Sequence, residues 1–221
     1  MYEEWASRLP HVVAWRSVAP PSGGDVLILP DGCLDIIWDD GRVFVAGPDT
    51  VAEAAAAAPG SRLFALRFAA GTGPGVLGVP ADELTDREVP LDDLWPAAEV
   101  RRLAEAADPM AAIEAAALRR WRAPDRAMVA LAAGARAGRP VGVIADSLGL
   151  SPRHLQRRCR TAFGYGPKML ARVLRLQRAL VVARGGSSFA EVSAQAGYAD
   201  QAHLAREVKA LAGVPLGALM S

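Results

Sequence analysis

Two short stretches of this 221-residue chain carry side chains that can read the edges of bases. In the first, Arg153, Gln156, Arg157 and Arg160 fall at steps that put all four on one side of a helix, opposite Leu155, Cys159 and Phe163. In the second, Gln201, His203 and Arg206 stand opposite Leu204, Val208 and Leu211, with Ala202 beside them. An arginine can donate two hydrogen bonds to O6 and N7 of guanine, and a glutamine amide can pair with N6 and N7 of adenine. A solvated charged face is the plain alternative for either stretch.

The surrounding residues dictate how such side chains are held. Over 141–148, Ile144, Ala145 and Leu148 form an inward stripe that Gly149 stops, and Ser151 and Pro152 then open a second helix as N-cap and first residue. The pattern returns downstream: Phe189, Val192 and Ala196 inward, Gly197 at the turn, Asp200 as cap. Each is two short helices joined by a glycine turn, the spacing of a helix-turn-helix. Between the copies, Gly166-Pro167-Lys168 opens a long helix of roughly 168–184, with Leu170, Val173, Leu174, Gln177 and Leu180 as its packed stripe. Arg172, Arg175 and Arg178 run along another side. These three are expected either on DNA backbone or as bridges to the acidic half. The helix would span about 25 Å, a rigid spacer between helices entering successive major grooves about 34 Å apart.

Charge is divided along the chain. Residues 1–123 hold 11 Lys and Arg against 19 Asp and Glu, a net of −8, while residues 124–221 hold 14 against 5, a net of +9. A basic half is the electrostatic footprint of a polyanion. The other reading is a basic face docked on the acidic half of the same chain.

The first half reads as mostly β. Runs at 11–19, 25–30, 34–47 and 62–68 are rich in β-formers, and Asp40-Gly41 inside the third is a hairpin signal. Gly and Pro punctuate them, and the alanine run 54–58 reads as a helical turn or a loop. From 97 to 121 the period becomes helical, with Val100, Leu103, Ala104, Ala107, Ile113, Ala116 and Ala117 as the stripe and a break at Asp108-Pro109. The expected division is a β-rich regulatory domain over 1–95, linker or dimerisation helices over 96–123, and an all-α domain over 124–221.

The wording of 150–179 (LSPRHLQRRCRTAFGYGPKMLARVLRLQRA) and 190–215 (AEVSAQAGYADQAHLAREVKALAGVP) resembles the AraC/XylS-type DNA-binding domain. LPDGCLDIIW (29–38), AGP (46–48), Arg67-Phe68 and LGVPADELTDREVPLDDLW (77–95) resemble a domain that precedes this reader in many bacterial regulators and whose role is poorly defined. The resemblance implies an α+β multidomain protein: a cupin-like or small-barrel β domain plus helices, then two helix-turn-helix units joined by a long helix. It implies a sequence-specific regulator bound to double-stranded DNA, with a small-molecule effector, a homodimer and RNA polymerase as expected partners. Arg153, Gln156 and Arg157, then Gln201, His203 and Arg206, align with its groove-facing positions. Arg160, Arg158 and Lys168 are expected at phosphates, and His154 in packing or bonded to backbone. Four departures stand out. Cys159 replaces an aromatic, so local repacking is expected; Pro215-Leu216 replaces Thr-Pro; Ala69-Ala70-Gly71 lacks a proline expected before the glycine; and Ala202 offers no long polar side chain.

Other chemistries find little support. No Ser-His-Asp order, phosphate loop, His-x-Glu or Cys-x-x-Cys motif is present. Asp31, Cys33, Asp35 and His11 are the one ligand-type group, best read as a turn and a buried structural cysteine, so neither metal nor cofactor is expected. Trp5, Trp15, Trp38 and Trp95 are expected in the core. A rival reading is a DNA-targeted enzyme such as an alkyl-repair protein, which would need an activated cysteine. A second is a ligand-binding protein with a degenerate reader. No stretch is long and apolar enough for a membrane span. The acidic start and the two distant cysteines fit a cytoplasmic protein without an export signal.

Overall fold

The structure is a computed structural model that describes residues 1–220. Its first half is β-rich and its second helical. Strands β1 (Tyr2–Ala6), β2 (Val12–Val18), β4 (Leu34–Asp39), β5 (Arg42–Ala46), β7 (Arg62–Phe68) and β8 (Glu88–Pro90) form one antiparallel sheet in the order β1-β2-β7-β4-β5-β8. β3 (Gly24–Ile28) and β6 (Glu53–Ala57) make a separate two-stranded ribbon. The Asp40-Gly41 signal holds: both residues have positive φ, 40° and 94°, as a two-residue hairpin turn requires.

The alanine run is a correction. It is neither helix nor loop but strand β6, with Ala54 opposite Leu27 and Ala55 opposite Val26. Alanine has little strand preference of its own, so the partner strand imposes the conformation. β1 and β8 have the same origin: each is an edge strand held by one neighbour, and Pro90 is tolerated because it lies at an edge.

The sheet separates two environments. Leu66 and Phe68 of β7 are fully buried together with Ile36 of β4, each such side chain contributing about 1.5–3 kcal/mol. On the other face, Arg67 lies opposite Asp35 across the strands and within 3.3 Å of its Oδ1. Trp15 also donates to Asp35, at 2.6 Å. Burial nonetheless raises the Asp35 pKa to about 6. Trp15, Trp38 and Trp95 are buried, but Trp5 is 42% exposed because its strand is an edge.

The short helix α1 (Pro74–Leu77) follows β7 and buries Val76 and Leu77, and helices α2 (Ala97–Ala104) and α3 (Pro109–Arg120) close this core. Asp108 caps α3 by accepting from the Ala111 N–H at 3.0 Å, and Pro109 can begin that helix but not continue α2. Val100, Leu103, Ile113, Ala116 and Ala117 enter the same core as the sheet. Ala107 is exposed instead, since α2 has already ended.

The remaining helices are α4 (Arg126–Arg136), α5 (Val141–Ser147), α6 (Pro152–Phe163), α7 (Pro167–Arg184), α8 (Phe189–Ala196) and α9 (Gln201–Ala212). They form two cores on either end of α7. Cys159 is fully buried in the first, beside Leu131, Ile144 and Phe163. Leu180, Val192, Leu204 and Val208 fill the second. Phe189, expected inside, is 47% exposed. It is the first residue of α8, which begins with a capping box between Ser188 and Glu191, and its ring reaches toward Gly217 in the closing 3₁₀ turn (Leu216–Leu219).

The halves are joined by a seam. Ala70 belongs to the α4–α7 core and Leu29 packs on the α7–α9 core. Gln177 donates to the Pro30 carbonyl at 2.6 Å, Ala52 N–H to the Leu211 carbonyl at 2.6 Å, and Thr85 Oγ1 to the Gly164 carbonyl at 3.1 Å.

Candidate nucleic-acid interface

The first unit is α5, a turn at Gly149 with φ of 66°, and α6. Ser151 caps α6 by accepting from the His154 N–H, with Pro152 next. Leu155, Cys159 and Phe163 anchor the inner side. Arg153, Gln156, Arg157 and Arg160 are all exposed along the outer side. An open groove of about 500 Å³ runs past them and is also lined by His154 and Asp82.

Three features there were not legible in the sequence. The His154 ring is exposed at the groove rather than packed; only its backbone does structural work, at the cap. Arg158 is bound intramolecularly, its Nε donating to Asp125 Oδ2 at 2.9 Å. Asp125 is the N-cap of α4, so this arginine ties α6 to α4. Asp82, from a 3₁₀ turn of the first half (Ala81–Glu83), lies 3.9 Å from Arg160. Gln156 also has a constrained resting place: a Cβ on Gly166 would sit 2.6 Å from its Nε2. The amide therefore rests against the Gly166 backbone. Lys168, in the first turn of α7, is exposed.

The second unit is α8, a turn at Gly197 with φ of 79°, and α9, capped by Asp200 accepting from the His203 N–H at 2.6 Å. Gln201 and Arg206 are exposed, with Ala202 and Ala205 between them. His203 is half-buried: its Nδ1 accepts from the Ala199 N–H at 3.2 Å, and its ring meets Tyr198 edge-on at 5.3 Å. It therefore braces the turn as well as facing the surface. The second helices of the two units, α6 and α9, are joined through α7, whose 18 residues span about 27 Å.

Among the described residues the arginine row of α7 makes its contacts within the second half and forms no ion pair with the acidic half. Arg172 pairs with Glu207 of α9 at 2.8 Å. Arg175 lies 5.4 Å from the Tyr198 ring. Arg178 donates to the carbonyls of Ala135 and Ala196 at 2.6 and 2.7 Å. Those carbonyls lie in the last turns of α4 and α8, where a helix carries partial negative charge; the Ala135 carbonyl also accepts from the Gly138 N–H at 3.0 Å. The row thus fastens helices within the second half. Spacing along α7 foretold the shared side but could not foretell these partners, which come from elements 18 to 43 residues away.

Both cysteine thiols lie above their ordinary values. Burial raises the Cys33 thiol well above its ordinary value, and Asp31 and Asp35 push it further. Burial raises Cys159 to about 12. Among the described residues no cluster of three His, Cys, Asp or Glu side chains could hold a metal ion, and no helix is long and apolar enough to cross a membrane.

Comparisons with known proteins agree with this geometry. Residues 144–221 match the family model of a helix-turn-helix domain, and residues 11–90 match that of a domain of unknown function (DUF6597). No curated protein matches the chain in sequence. Among solved structures, ToxT from Vibrio cholerae O395 is similar at 8% identity, over 95% of this chain and 97% of that one, with a TM-score of 0.51. ToxT bound to (E)-4-(8-methylnaphthalen-1-yl)but-3-enoic acid gives 9% identity, 95% and 97% coverage and 0.52. ToxT of Vibrio cholerae strain SCE256 bound to an unsaturated fatty acid gives 9%, 98% and 97%, and 0.51. At such identities the likeness is one of fold, and it extends over nearly the whole chain. The two capped units thus fall in the part of the chain that matches a helix-turn-helix domain, joined on one ToxT-like fold to a part that matches a domain of unknown function.

Proposed function

We propose that this protein is a sequence-specific transcription regulator that reads two successive major grooves of double-stranded DNA with α6 and α9. The observation that carries this reading is the outer face of α6, where Arg153, Gln156, Arg157 and Arg160 are exposed on a helix whose opposite side is fully engaged in the core. Arg153, Gln156 and Arg157 read bases, Arg160 and Lys168 meet phosphates, and Gln201, His203 and Arg206 supply the second, sparser set. Phosphate contacts give most of the affinity and make it salt-dependent; base contacts give the sequence preference.

The N-terminal domain is the regulatory part in this reading, with a small-molecule effector. Support comes from the ToxT structures of the same fold that hold an unsaturated fatty acid or a naphthalenyl butenoic acid. The raised pKa values of both cysteines speak against the alkyl-repair reading, because a nucleophilic thiolate needs an electropositive site.

Selection of the full chain against a randomised duplex library at near-physiological salt tests the proposal. The expected product is a motif with two half-sites about one helical turn apart. Gln156→Ala should relax the preferred base at one position, and Lys168→Ala should weaken all sequences alike. An unchanged motif with Gln156→Ala would remove the base-reading role of that residue, and no enrichment at all would overturn the sequence-specific reading.

A further inference from the structure

A second concave site lies away from the groove beside α6. It is a cavity of about 290 Å³ between the α4–α5 loop, α7 and the turn of the second unit, lined by Gly138, Arg139, Arg175, Arg178 and Gly197 among others. A water molecule's share of liquid volume is about 30 Å³, so there is room for a group of several heavy atoms. Three guanidinium groups converge here, and none of them has a carboxylate within 4 Å among the described residues; the nearby Arg172–Glu207 pair uses the one acid of α9.

The most buried guanidinium is left incomplete. Two nitrogens of Arg178 are satisfied by the ends of α4 and α8, but its Nε–H is buried without a partner. A buried unpaired donor costs about 1–3 kcal/mol. Glycine keeps the approach open on both sides: a Cβ at Gly138 would lie 3.8 Å from that Nε, and one at Gly197 would lie 3.6 Å from Nη2. Burial, with the charge of Arg175 second, holds the Arg178 pKa below its ordinary value. Positive charge is concentrated and partly desolvated.

We propose that this cavity binds a phosphate group, held by Arg139 and Arg175 with the Arg178 Nε–H as the buried donor. The phosphate comes from one of two sources, a free phosphate-bearing small molecule or the backbone of bound DNA; the second rests on the function proposed above.

Thermal melting of the full chain in inorganic phosphate, against sodium chloride at equal ionic strength, tests the site without DNA. At about ten times the Kd, phosphate should raise Tm by roughly 3–5 °C. Arg139→Ala combined with Arg175→Gln should abolish that rise, while Arg139→Ala alone, a change at an exposed side chain, should reduce it. Melting in chloride reports whether the double variant folds. A parallel measurement takes the slope of log K against log salt for DNA binding. Loss of the phosphate effect with the slope unchanged assigns a free ligand; a slope smaller by about one per lost contact assigns a backbone phosphate. Equal phosphate stabilisation of wild type and variants overturns the proposal, as does no phosphate effect together with an unchanged slope. Phosphate stabilisation without sequence-selective DNA binding would count against the regulator reading alone.

Discussion

The two helix-turn-helix units have the same local plan and different surroundings. Both recognition helices are 12 residues long, begin with a side-chain cap and end at a glycine in the left-handed region, Gly164 with φ of 84° and Gly213 with φ of 72°. At Gly164 a Cβ would lie 2.2 Å from Thr85 Oγ1 and 2.7 Å from Pro48 Cγ, whereas at Gly213 nothing lies within 4 Å. The first unit is thus pressed on the N-terminal domain, and its groove is flanked by Asp82. The second touches that domain through Leu29 and the Ala52–Leu211 bond. Their reading faces differ too: four long polar side chains on α6, against two alanines among the polar residues of α9. One sequence pattern stands in two settings: a helix dense in exposed polar side chains pressed on the N-terminal half, and a sparser one held by the arginines of α7.

That contrast can be broken first at the glycines. Gly164→Ala adds both left-handed strain and a clash, and should cost about 3 kcal/mol. Gly213→Ala should cost only about 1 kcal/mol, for the strain alone. Chemical denaturation of both variants checks this, and equal losses would deny the special pressure on the first unit. Next come the readers. Arg157→Ala should weaken binding to the selected site by about 1–3 kcal/mol, roughly 5- to 150-fold, and Arg206→Ala by under about 1 kcal/mol. Matched binding titrations decide, and a larger loss at Arg206 would reverse the assignment of dense and sparse.

A smaller effect concerns pH on the acidic side of the seam. Burial, then the charges of Asp86 and Glu53, raises Asp49 to about 7, and burial raises Asp35 to about 6. The folded protein therefore holds protons that the unfolded chain has released above about pH 4. Stability from these groups is full below pH 4 and is lost as pH rises through 6 and 7. Asp49 is only partly buried, so its share is on the order of 1 kcal/mol after screening. Asp49→Asn should raise Tm at pH 8 and leave it unchanged at pH 4, as melting curves at the two pH values would register. The smallest expected effect is at Asp82. Removing this carboxylate near Arg160 should raise DNA affinity about twofold at low salt, with the gain screened away at high salt; a fall in affinity would instead make Asp82 part of the contact.

The local rules were legible along the chain, because caps, turn glycines and apolar stripes act within four residues. Ser151, Asp200, Gly149 and Gly197 stand where the spacing puts them, and so does the Asp40-Gly41 hairpin. The exposed faces of α6 and α9 followed from the same periodicity. What failed depended on partners far away. The alanines of β6 became a strand because β3 lies beside them. Phe189 and Trp5 sit at element margins that no neighbour covers. Arg158, Arg172 and Arg178 found acceptors 18 to 43 residues distant. Only the folded chain decides such matters: hydrogen bonds and ion pairs are short-ranged, so a side chain's partner depends on where the backbone returns, and periodicity records only which way that side chain leaves its own helix.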